Sequence, residues 1–153
     1  MRRTTTAATA TAVLIALLTV GCSSGDGDPK ADAKPTTAKL STKWGPKLDT
    51  VTAGEKAVCN QVGDQACAEH LTDIALVVGE VERAVNEAGG SAVYPRTMAE
   101  LGKVNSAVEA YTDHECLGDE NAGIEGSPCP DDAQTILTGG KTLTLALQAD
   151  EAP

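Results

Sequence analysis

Four cysteines, two histidines and a run of carboxylates are the residues of this chain that could do chemistry. The cysteines are Cys59, Cys67, Cys116 and Cys129, and the histidines are His70 and His114. Cys67-x-x-His70 lies on one face of any helix, and His114-x-Cys116 has the closeness of a turn. Thiolates and imidazoles in such proximity are ligands for zinc or copper. In an oxidising compartment the same even set of cysteines reads as two disulfides. Three pairings are open. Cys59–Cys67 with Cys116–Cys129 is preferred, because each bond closes a connection between sequence neighbours. The stretch from Asp113 to Asp132 carries Asp113, Glu115, Asp119, Glu120, Glu125, Asp131 and Asp132 and no Lys or Arg. Carboxylates at this density can hold calcium, but the D-x-[DN]-x-[DN]-G spacing of an EF-hand is missing. The default is a solvated acidic loop. The next reading is a binding surface for a basic protein or a cell-wall component, with Asp119, Glu120, Glu125, Asp131 and Asp132 as its binding residues.

A fifth cysteine decides which compartment applies. Arg2 and Arg3 are followed by the apolar run Ala12 to Val20, small residues and Cys22. This is the layout of a secretory signal. The run is too short to span ~30 Å of hydrocarbon as a helix. Leu18-Thr19-Val20-Gly21-Cys22 resembles the lipobox of bacterial lipoproteins, and the composition resembles that of small surface lipoproteins of high-GC Gram-positive bacteria. The resemblance implies a signal peptide over residues 1–21 and a diacylglycerol on the Cys22 thiol, the new N-terminus. Anchoring at the extracytoplasmic face of the cell membrane follows, since about two acyl chains hold a protein there. Residues 22–45, polar with few aliphatic side chains, are expected to be a flexible tether.

Charge divides along the chain. Of 12 basic and 22 acidic residues, five Lys and three Asp fall between Cys22 and Lys47, whereas five basic and nineteen acidic residues follow from Leu48. A mildly basic tether therefore precedes a strongly acidic domain. Nucleic acid is excluded as a partner, because phosphate binding needs clustered Lys and Arg. Catalytic motifs are wanting too. Gly21-Cys22-Ser23-Ser24-Gly25 matches G-x-S-x-G only in a segment where no strand and helix flank it. Gly139-Gly140-Lys141-Thr142 lacks the first glycine of a phosphate-binding loop, and no HExxH occurs. No enzyme activity and no cofactor are expected.

The elements that position these groups are helices. Cys67, Leu71, Ile74, Val78, Val81 and Val85 form one apolar stripe along Asp64 to Ala88, and Gly89-Gly90 ends it. A second stripe, Met98, Leu101, Val104, Val108 and Tyr111, follows a capping box of Thr97 and Glu100. Pro46 to Cys59 reads as a first helix with Leu48, Val51 and Val58 inward and Trp44 packed over its start. Pro130 to Gln148 reads as a last one with Ala133, Ile136, Leu143 and Leu147 inward. Gly139-Gly140 interrupts this segment, and Leu143, Leu145 and Leu147 also alternate like a strand. The expectation is an all-α domain over 46–149, a small antiparallel four-helix bundle with disulfide-stapled loops, and a disordered tail over 150–153. In that topology all four cysteines gather at the pole away from the tether.

Overall fold

The computed structural model describes residues 38–54 and 59–153. They form four helices: α1 Leu40–Val51, α2 Gln65–Glu87, α3 Pro95–Asp113 and α4 Cys129–Asp150. A short 3-10 turn, Gly90–Ala92, links α2 to α3, and no strand occurs among the described residues. The expected lipidation site at Cys22, the expected signal peptide over residues 1–21 and Val58 lie outside them.

The helices run up and down. At one pole, the end of α4 meets the starts of α1 and α3: Glu151 accepts hydrogen bonds from Ser41, and Asp150 accepts them from Thr97. At the other pole, the disulfides Cys59–Cys67 and Cys116–Cys129 join the connection before α2 and the connection before α4 to the helices beside them. The preferred pairing is the observed one. The α2 stripe is buried at every expected position. With Leu48, Leu101, Ile136, Leu143 and Leu147 it makes a single aliphatic core.

Three local expectations are corrected. First, α1 begins at Leu40, six residues before Pro46, and ends at Val51. Trp44 is therefore inside the helix and 4 % exposed, one turn before Leu48. Lys43 and Lys47 lie over its ring at 4.7 and 4.4 Å, covering its outer face with their stems. Pro46 sits in the interior of a helix that packing and a distant cap sustain.

Second, Thr97 and Glu100 form no capping box. Helix α3 starts at Pro95, and Thr97 is buried with its N–H and Oγ1 both donating to Asp150 Oδ2 at 2.8 Å. Glu100 instead accepts from the Thr142 hydroxyl and from Lys103. The Thr142 bond outweighs partial burial and, helped by Lys103, holds the Glu100 carboxyl below its ordinary range.

Third, Gly139-Gly140 does not interrupt α4, and Leu145 faces solvent, as a helix and not a strand requires. The glycines are sites of close approach. A Cβ on Gly139 would fall inside contact distance of Val104 Cγ2, and one on Gly140 would lie 2.5 Å from Thr52 Cγ2. Gly139→Ala is therefore expected to destabilise the domain. Overpacking costs ~1–3 kcal/mol, offset by ~1 kcal/mol of helix propensity. Denaturant unfolding of Gly139→Ala, Val104→Ala and the double variant checks this, with the double variant less destabilised than the sum of the singles.

Candidate functional site: the disulfide-stapled pole

The two cysteine-closed connections are packed on each other. Gly118 N donates to Gly63 O at 2.9 Å, and Tyr111 Oη, at the last turn of α3, donates to Val62 O at 2.6 Å. Burial pushes the Tyr111 phenol up, which keeps it a donor. A Cβ at Gly63 would overlap Asp119 O and crowd Ala122 Cβ at 3.1 Å, so the connections meet backbone to backbone. Cys67, Cys116 and Cys129 are buried and Cys59 is half-buried.

The acidic residues separate by role. Asp119 Oδ1 accepts the Asn121 N–H at 2.8 Å in a local Asx turn. Asp119 and Glu120 line a polar cleft of ≈ 530 Å³ between the two connections, together with Asn60 and Asp64. Glu120, Glu125 and Asp131 are exposed. Asp131 and Asp132 occupy the first turn of α4, where the helix dipole favours negative charge. Asp132 is half-buried and pairs with His114, Nδ1 to Oδ2 at 2.7 Å.

This pairing bears on metal binding. Among the described residues, one group of potential ligands converges: His114, Cys116 and Asp132, with ligand atoms within 4.8 Å of one another. His70 is not part of it. Cys116 is bonded to Cys129, so its sulfur is no thiolate, and His114 and Asp132 already satisfy each other. Two ligands do not make a closed zinc site. The oxidised protein is expected to show no heat with micromolar Zn²⁺ by calorimetry. Cys129→Ser, which frees the Cys116 thiol while the Cys59–Cys67 bond remains, is expected to create measurable binding.

The sequence reading missed two features of the pole. Glu115, just past the α3 C-cap, is the one non-glycine residue with positive φ among the described residues, at 54°. Cys116 N reaches back to Tyr111 O at 3.2 Å, the closing bond of a Schellman turn, whose left-handed position usually holds glycine. A larger side chain there costs ~1 kcal/mol or more. Beside it, an apolar groove of ≈ 290 Å³ opens between α2 and α3. Nothing in the helical periodicity marks it, because small residues open it on helix faces that otherwise read as boundary positions.

The chain matches no protein-family model, no curated protein and no solved structure.

Proposed function

We propose that the protein is a lipid-anchored, extracytoplasmic, non-enzymatic binding module. It presents the disulfide-stapled acidic pole to a partner that carries basic groups, a protein or a cell-wall component. The observation that supports this most strongly is the locking of two cysteine-closed connections against each other at the pole opposite the start of α1. A tether leading from Cys22 into α1 would hold that pole away from the lipid. Two disulfides suit an oxidising exterior. Exposed carboxylates at Glu120, Glu125 and Asp131, with no Lys or Arg between Asp113 and Asp132, give the connection between α3 and α4 one sign of charge. No described helix is long and apolar enough to cross a membrane. The attachment rests on the lipobox-like run that ends at Cys22, with acyl chains on its thiol as the anchor.

Metabolic labelling with a palmitate analogue is expected to mark the wild type and not Cys22→Ser. Pull-down from intact cells, comparing wild type with Glu120→Gln/Glu125→Gln/Asp131→Asn, is expected to lose the partner in the triple variant. Asp119 and Asp132 are left intact because both have structural bonds. An unchanged set of captured molecules would reject the acidic pole as the binding surface.

A further inference from the structure

The groove between α2 and α3 opens because Ala68 and Ala75 leave space where neighbouring turns fill it, and Leu71, Val108 and Ile136 form its apolar lining. Its ≈ 290 Å³ lies at the lower edge of small-ligand pockets, too small for a partner helix. Its polar chemistry is one-sided. Thr72 Oγ1 donates to Ala68 O at 2.8 Å, Thr112 Oγ1 to Val108 O at 3.1 Å, and Tyr111 Oη to Val62 O at 2.6 Å. Every hydroxyl in the lining has thus spent its proton on the backbone, and no Lys, Arg or His contributes. Its side chains offer acceptors and no free donor. Glu115 is its one ionisable carboxyl group, exposed at the rim and without an ion-pair partner among the described residues. Its strained backbone is the kind that persists at functional positions.

We infer that this groove binds a small apolar molecule carrying one protonated amine, the body between Ala68, Ala75 and Val108 and the ammonium against Glu115. The charge pattern rejects the alternatives. An anionic ligand would be repelled by Glu115 with no side-chain donor to offset it, and a neutral one would gain nothing from the carboxylate. The inference deepens the reading of this pole as a binding end, naming a ligand for a groove beside the acidic surface.

The test uses the full chain carrying Cys22→Ser, followed by NMR titration with three probes of one shape: 2-(1-naphthyl)ethylammonium, 2-(1-naphthyl)ethanol and 1-naphthylacetate. Saturating shifts are expected at Ala68, Ala75 and Leu117, with the ammonium binding at least about fivefold tighter than the alcohol and the acetate weakest. Glu115→Gln is expected to erase the ammonium preference, whereas Glu125→Gln, equally a loss of one charge, leaves it in place. Ala75→Leu fills the groove and is expected to weaken all three probes while the protein stays folded. Glu115→Gly is expected to raise the melting temperature and lower ammonium affinity together, which a purely structural role for Glu115 would not do. Equal affinity for the three probes, a preference unchanged in Glu115→Gln, or shifts confined to residues outside the groove would overturn the inference. Partner capture that survives such a failure leaves the acidic-pole reading intact. Probe binding without partner capture rejects that reading and not the groove.

Discussion

Loss of both disulfides is expected to bring the domain close to unfolding at room temperature. On the chain-entropy model, a loop closed over 13 residues contributes ~3 kcal/mol and one over 8 residues somewhat less, so the two approach ~5–6 kcal/mol. Small domains have ~5–15 kcal/mol in total. This core contains no Phe, and its largest fully buried side chains are Leu and Ile, which leaves little reserve. Thermal unfolding followed by circular dichroism, with and without reductant, is expected to show a fall of at least ~20 °C in Tm. Cys116→Ser/Cys129→Ser alone is expected to cost ~3 kcal/mol. The two losses will not add simply, because the connections touch through Gly118 and Gly63 and each staple helps to hold the other. An unchanged Tm in reductant would show that the helices hold the pole unaided.

Asp150→Ala is expected to be the most damaging substitution of a polar residue. The Asp150 side chain is 1 % exposed and accepts hydrogen bonds from Thr97 N, Thr97 Oγ1 and Arg96 N, with the Arg96 guanidinium 3.6 Å away. Removing it orphans a buried hydroxyl and the N–H groups at the start of α3. Each charged hydrogen bond contributes ~1.5–3 kcal/mol, and the whole loss is expected to be about 3 kcal/mol. The expected pH dependence has a definite sign. Burial works against ionisation of Asp150, but the bonds from Thr97 and Arg96 outweigh it and hold the carboxyl below its ordinary range. A carboxyl whose pKa is depressed on folding contributes stability that is complete above its unfolded value, ~3.9, and is lost as pH falls through the folded value. Wild-type stability is therefore expected to decline below about pH 4. Asp150→Asn is expected to start lower and to decline less over that range, since it has no proton to take up. Urea unfolding at pH 7, 5, 4 and 3 measures both.

The same residues show where sequence reasoning reaches its end. The α2 stripe was legible because six apolar side chains at helical spacing have one burial solution. The disulfides were legible because up-and-down connectivity makes sequence neighbours spatial neighbours. Pro46 resembles a helix beginning, but α1 starts six residues earlier, capped by a carboxylate far along the chain: Ser41 N donates to Glu151 Oε1 at 3.3 Å. Ser41 Oγ also donates to Glu151 Oε2, and Lys39 Nζ to Glu151 O at 3.2 Å. Residues expected to be a loose tail thus include the caps of two helices. A clue was present: paired acids at the end of α4 oppose its dipole, and their presence makes sense once they face the positive ends of α1 and α3. Propensity marks Gly139 and Gly140 as helix breakers, but packing against Val104 and Thr52 decides their role. The left-handed Glu115 and the groove depend on how two helices lie together, which no local pattern encodes.

The stapled pole, and not the pole at the start of α1, is proposed to meet the partner. Site-specific photo-crosslinking in intact cells tests it most directly, with a photoreactive residue placed singly at position 125 on the stapled pole and at position 83 near the end of α2. A discrete crosslinked species is expected from position 125, abolished by the charge changes Glu120→Gln and Asp131→Asn, and none from position 83. Crosslinks from position 83 with none from position 125 would contradict it.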